Sequence, residues 1–280
     1  MKILVTGGAG FIGSNIIKKL LTSENEIHSL DNYTTGLNTN EVAGCKYWHG
    51  DIQHINTMDK DFDVVYHMAA IARIQPSFER PADYIETNFN GTYEVVKFCT
   101  EYGIPLVYAG SSSKHSGRFK NPYTFSKDIG EDIVKLYQEH FNLKASIARF
   151  YNVYGCNQLL EGGYTTLIGR WINNLTKGIA CEIYGDGEKR RDFTHVDDIV
   201  DALTRIVNQG KYGYEFELGR GENFSVNEIA TAFGIEPLYR EDKPGEAKIT
   251  LNTDTTAREI LGWNPQKNIV SYIKSKEWKE

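Results

Sequence analysis

Residues 2–15 read KILVTGGAGFIGSN: a β-branched apolar run, a cluster of glycines, and then apolar residues at helical spacing. A strand that turns at once into a helix through Gly7, Gly8, Gly10 and Gly13 leaves few options for the rest of the chain, because the helix must pack back on a sheet. Gly7, Gly10 and Gly13 form GxxGxxG, a variant of the dinucleotide fingerprint. The missing Cβ atoms let a pyrophosphate reach the backbone, and Gly13 lets the helix approach the strand. Phe11 and Ile12 lie in the first turn, where a helix N-terminus offers unpaired N–H groups and the positive end of its dipole.

The rhythm of the first half agrees with this start. Strands are expected at Lys2–Thr6, Glu26–Leu30, Cys45–His49, Asp63–His67, Pro105–Ala109 and Leu143–Arg149, and helices at 10–22, 84–102 and 122–141. Such alternation specifies an α/β fold, a Rossmann-type doubly wound parallel sheet with helices on both faces. After Tyr151 the elements shorten and glycine loops separate them, as in a smaller C-terminal α/β substrate lobe. The expected division is a dinucleotide-binding domain over 1–155 and a mainly substrate-binding lobe over 156–280, with about 183–220 returning to the first domain. Asp31 ends the second strand 18 residues after Gly13, the place of the acidic residue that binds the adenine ribose 2′-OH. A carboxylate there repels a 2′-phosphate and favours NAD over NADP. Asn32 adjoins it, and Asp51 and Ile52, after the third strand, are expected near the adenine.

Composition excludes several function classes. Hydrophobic residues at 40% and charged residues at 24% are ordinary globular values. A net charge of −6 argues against nucleic acid and anionic membrane as partners. Cys45, Cys99, Cys156 and Cys181 lack metal-ligand spacing, so they are read as free thiols of a cytoplasmic protein, and no metal site is expected.

Tyr123 and Lys127 stand four apart at the start of the 122–141 helix and so share a face. A phenol is a poor base near neutrality, and an adjacent ammonium favours its ionised form. The pair therefore reads as an acid/base with a lysine that also holds the nicotinamide ribose. Ser111–Ser112–Ser113, at the carboxyl edge of the sheet, supplies a hydroxyl to share the substrate proton, with Ser111 directly after VYAG.

Together with HMAA at 67–70, NFNGT at 88–92, ARFYNVYG at 148–155 and RRDFTHVDDIVDAL at 190–203, these segments resemble the extended short-chain dehydrogenases/reductases of the NAD-dependent nucleotide-sugar epimerase/dehydratase family, over essentially the whole chain. The resemblance implies that His67, Met68, Ala69 and Ala70 line the cofactor, that Asn88 lies behind the site, and that Tyr151 faces the nicotinamide. Asn152 and Arg191 then hold a substrate diphosphate, Tyr184 packs on the nucleotide base, Lys243 replaces an arginine on phosphate, and Thr250 sets the room around the sugar's C2 substituent. His195 is read as structural. The family also implies a nucleotide-diphosphate sugar as partner, a UDP-sugar favoured, and a homodimer through a four-helix bundle of 84–102 and 122–141.

Enzymes of this family begin by oxidising a sugar hydroxyl to a ketone. Dehydratases then need an acidic pair directly after the catalytic Ser/Thr, where this chain has Ser112 and Ser113. The expectation is therefore 4-epimerisation of a UDP-hexose or UDP-N-acetylhexosamine. The alternatives are another ketone-forming enzyme of the family (dehydratase, decarboxylase or reductase) and a non-catalytic NAD sensor. The segment between Ser111 and Tyr123 is also shorter than the family's, with His115 at its start as a replacement polar group.

Overall fold

The computed structural model describes residues 1–276 and 278. The first half runs β1 (Lys2–Thr6), α1 (Phe11–Leu20), β2 (Glu26–Asp31), β3 (Cys45–His49), β4 (Val64–His67), α2 (Ile74–Glu79), α3 (Pro81–Ile85), α4 (Thr92–Glu101), β5 (Leu106–Ser111), α5 (Pro122–Phe141) and β6 (Ala145–Phe150). The second half runs β7 (Val153–Tyr154), α6 (Leu167–Lys177), β8 (Glu182–Tyr184), β9 (Arg190–Asp192), β10 (Thr194–His195), α7 (Val196–Asn208), β11 (Glu215–Leu218), β12 (Asn223–Ser225), α8 (Val226–Phe233), β13 (Leu238–Arg240), α9 (Thr256–Leu261) and α10 (Ile269–Ser275).

Seven strands form one sheet in the order β11-β6-β5-β4-β1-β2-β3, every pair parallel. The order reverses between β1 and β4, and that switch point opens a crevice at the carboxyl ends of the strands. Alternation along β1 sends Ile3 and Val5 to one face, against Ile16 and Ile17 of α1 and Ile199, Leu203 and Ile206 of α7. Leu4 goes to the other face, with Val95, Val96 and Phe98 of α4 and Val134 of α5. Both faces are covered, as a parallel sheet requires.

A third core, built on Ile168, Trp171 and Ile172 of α6, Ile229 of α8 and Ile269 and Ile273 of α10, makes the smaller lobe. Ile183 and Phe193 belong to this core, and Val196 at the start of α7 packs on the large lobe. Ala257, Leu261 and Trp263 also pack on the large lobe. Ser225 and Glu228 close a reciprocal capping box at α8.

The helix expected over 84–102 runs unbroken through α3 and α4, and residues 86–91 between them widen into a π-helical turn. Gly91 lies so close to Ile52 that an added Cβ would sit 2.4 Å from its Cδ1, which leaves no room for a side chain on that turn. Among the described residues, no helix is long and apolar enough to cross a membrane.

Candidate active site

A cavity of about 560 Å³ lies between the lobes at the sheet's carboxyl edge. Its floor is the glycine loop. Gly7 has φ +72°, and a Cβ on it would stand 2.8 Å from the backbone of Ala69. A Cβ on Gly13 would stand 2.1 Å from the Gly7 carbonyl oxygen. Gly10 caps α1 with extended backbone and no side chain, and no acidic residue occupies the first turn. Gly7, Ala9 and Gly10 N–H are already bonded within the protein, and the first-turn N–H groups of α1 are the ones left to an incoming anion, which fits the pyrophosphate of a dinucleotide.

Asp31 is buried at the end of β2. Its Oδ2 accepts from Ala9 N at 2.9 Å and its Oδ1 from Tyr33 N at 2.8 Å. Burial raises its pKa, and those two N–H donors oppose the rise. The carboxylate therefore ties the glycine loop to the turn after β2 and retains lone pairs for a ribose hydroxyl. Asn32, Ile52, Met68, Ala69 and Ala70 line the cleft as expected from their positions. Asp51 is not among the lining residues: it caps the 52–57 turn through Gln53 N and accepts from Asn32 Nδ2 at 3.1 Å. His67 is a correction too. It is buried between Thr6 Oγ1 at 2.7 Å and Thr92 Oγ1 at 3.0 Å, and burial pushes its pKa down to about 3. Asn88 does not reach the cleft either. Its amide accepts from Ile71 N at 2.8 Å and donates to Ile71 O at 2.9 Å and Ser126 Oγ at 3.0 Å. It positions the loop after β4 against α5.

The reacting end is built from β5 and α5. Asn121 caps α5 by accepting from Thr124 N at 2.7 Å, and Pro122 takes the first-turn position where its missing N–H costs nothing. This start sets Tyr123 in the cleft, where its hydroxyl donates to Ser111 Oγ at 3.2 Å. Ser111 Oγ donates in turn to Ser113 Oγ at 2.9 Å and accepts from Ser113 N at 3.2 Å. Burial raises the Tyr123 pKa; the Ser111 hydrogen bond and the charge of Arg73 pull it back. Lys127 was the cation expected in that role. Burial holds its own pKa at about 8, so it is neutral where a buried phenol ionises, and its Nζ lies 4.4 Å from the Tyr108 ring centroid.

The other wall comes from the small lobe. Asn152, at φ +23°, donates to Asp192 O at 3.0 Å and to Thr250 Oγ1 at 3.1 Å, and Thr250 Oγ1 also accepts from Asp192 N. Lys243 Nζ stands 3.5 Å over the Tyr184 ring. Arg191 Nη2 pairs with Glu246 at 3.2 Å, and burial lowers its pKa. All five line the cleft. Tyr151 does not. Phe150 and Asn152 face the cavity, while the Tyr151 hydroxyl donates to Glu217 Oε2 at 2.9 Å on the far side of β6.

A model of the family described as "NAD dependent epimerase/dehydratase" matches residues 3–219. The chain belongs to that family. It is 32% identical over 298 residues to a putative UDP-glucose 4-epimerase of Methanocaldococcus jannaschii, covering 97% of this chain and 96% of that protein. It is 28% identical over 341 residues to a dTDP-glucose 4,6-dehydratase of Shigella flexneri, covering 99% and 92%. A crystal structure of a UDP-glucose 4-epimerase with UDP-glucose, from Thermotoga maritima, superposes with a TM-score of 0.90 at 27% identity, covering 98% of this chain and 96% of that one.

As a member of this NAD-dependent family, the chain carries cleft residues that its motifs did not reveal. Arg73, Arg170 and Lys189 all line the cavity. Each lies outside the family segments quoted above except as a neighbour, and only the folding of the 71–76 loop and α6 over the sheet edge brings the two arginines in. His195 caps α7, its Nδ1 accepting from Asp197 N at 3.1 Å, which is a structural task. His115 meets Glu217 Oε1 at 2.9 Å in a second cavity that shares Ser112, Ser116 and Thr250 with the cleft.

Proposed function

We propose that the chain is a nucleotide-sugar 4-epimerase that acts on a UDP-sugar through a transient 4-ketone. The observation that carries this reading is the set of acids in the cleft. The carboxylates lining it are Asp31, Glu182 and Glu246. Asp31 holds the glycine loop, Glu182 is bound to Arg240 and Tyr184, and Glu246 to Arg191. Beside Ser111 stand only hydroxyls, those of Ser112 and Ser113. Elimination of water from C5–C6 needs an acid/base at that end, and among the described residues no carboxylate lining the cleft stands beside Ser111.

Tyr123 takes the proton from the sugar's C4 hydroxyl, and Ser111 holds the same oxygen in line. NAD, when bound, supplies the acceptor and later the donor of the C4 hydride. Lys127 orients the ribose beside Tyr123. Arg191 and Lys243 hold the diphosphate while the sugar turns, and Tyr123 then returns the proton to the new face. We further propose a homodimer through α4 and α5, which leave Tyr93, Leu136 and Phe141 exposed.

The test is incubation with UDP-glucose, UDP-N-acetylglucosamine and their C4 epimers without added cofactor, with identification of products. Interconversion of the epimers supports the reading. A 4-keto-6-deoxy sugar, or net consumption of NADH, overturns it.

A further inference from the structure

Arg73 has two features that the reaction above does not use. Its backbone sits at φ 91°, ψ 139°, a conformation that side-chain-bearing residues rarely adopt. It is held there by the Tyr84 hydroxyl, which lies 2.9 Å from both Ala72 O and Arg73 O. The side chain lines the cleft, and Nε donates to Tyr164 O at 2.9 Å across the lobe boundary. Among the described residues no carboxylate pairs with it within 4.0 Å. Arg170 also lines the cavity, donates to Thr165 Oγ1 and likewise has no carboxylate partner among the described residues. At the nucleotide side Arg191 pairs with Glu246 and Lys189 with Asp242, while Lys243 rests on the face of the Tyr184 ring.

A half-buried guanidinium without a counter-charge, fixed by a strained backbone, is a site prepared for an anion. Its position says which one. Tyr84, whose hydroxyl lies 2.9 Å from Arg73 O, packs edge-on against the Tyr123 ring with centroids 6.1 Å apart, so Arg73 belongs to the end of the cleft where C4 reacts. The diphosphate hangs from C1, across the pyranose ring from C4. C4 is flanked by C3, which bears a neutral hydroxyl, and by C5, whose exocyclic C6 is the neighbouring position that can carry a carboxylate.

We propose that Arg73 is a specificity-determining residue that binds a C6 carboxylate, and that the substrates of this cleft are nucleotide hexuronates. This rests on the nucleotide-sugar reading of the site. Tyr164 O occupies Nε, which leaves the two terminal nitrogens as a fork for the carboxylate.

The experiment measures binding and turnover by the NAD-loaded enzyme with UDP-glucuronate, UDP-glucose and UDP alone. Arg73→Gln keeps bulk and polarity; Arg73→Gly relieves the positive φ and guards against misfolding. The expected result is tighter binding of UDP-glucuronate than of UDP-glucose, and a fall of about 100-fold in the ratio of their kcat/KM values in both variants. Equal affinities in the wild-type enzyme overturn the proposal. So does equal weakening of all three ligands, which would make Arg73 a diphosphate ligand. Selective, Arg73-dependent binding of UDP-glucuronate without C4 inversion would uphold this inference and defeat the epimerase reading. Inversion of UDP-glucose with no preference for the uronate would do the reverse.

Discussion

The Tyr123 hydroxyl and Ser111 Oγ lie 3.2 Å apart, and Ser111 passes its own proton to Ser113 Oγ at 2.9 Å. The phenol is thus the donor end of a short chain of hydroxyls, in a pocket whose burial disfavours phenolate. On the proposed mechanism, removing the phenol removes the group that takes the C4 proton. Tyr123→Phe is expected to lower kcat by about 1,000-fold or more while NAD stays bound, and Ser111→Ala by about 10- to 100-fold. Product assays alongside release of bound NAD by acid check both; turnover retained in Tyr123→Phe would remove it from the mechanism.

Lys127 gives a pH signature. Burial lowers its pKa from 10.5 to about 8. Between those values the unfolded chain binds the proton and the folded chain does not, so stability rises with pH across that window and is lost as pH falls through it. The buried charge costs about 3 kcal/mol near neutrality. Lys127→Met should therefore melt higher than the wild type at pH 7, with the gap closing as pH approaches 10.5. Thermal melts of both proteins at matched pH values measure this; a gap independent of pH would contradict it.

Asp31 bridges Ala9 N and Tyr33 N with its two oxygens. Asp31→Asn converts one acceptor into a donor that faces an N–H, so the glycine loop loses a tie as well as a ribose acceptor. NADH affinity is expected to fall by about 10- to 100-fold, with a smaller loss for NADPH because the repulsion of its 2′-phosphate is gone. Fluorescence titration with both nucleotides reads the difference directly.

What was legible in the sequence is what is set locally. The glycine loop, Asp31 at a strand end and the i,i+4 spacing of Tyr123 and Lys127 are properties of a few consecutive residues, and each lies where that spacing puts it. What was not legible depends on chain reversals. Alternation carries on past β6, so Phe150 and Asn152 face the cavity while Tyr151 joins Arg149 on Glu217; which of the two faces meets the cavity is set by the packing of β11 beside β6 and not by the local sequence. The π-turn at 86–91 places the Asn88 amide on Ile71. Arg73 owes its place to a backbone conformation that no local pattern announces.

The last consequence concerns the charges behind the site. Arg149 is buried on β6, with Nη1 on Glu217 Oε1 and Nη2 on Glu131 Oε2, both at 2.7 Å, and it also pairs with Glu215. Lys114 adds a bond to Glu131 at 2.8 Å, and His115 one to Glu217. This network anchors the short segment after Ser111, since Lys114 and His115 both belong to it. Deleting the central guanidinium leaves Glu131 buried with Lys114 and Glu217 buried with His115 and the Tyr151 hydroxyl. Arg149→Met is expected to destabilise the protein by about 3–5 kcal/mol. Arg149→Met combined with Glu131→Gln should recover part of that loss, because the stranded charge is removed with its partner. Urea unfolding of the three proteins tests it: a single variant as stable as the wild type, or a double variant no better than the single, would show that the network carries no such charge coupling.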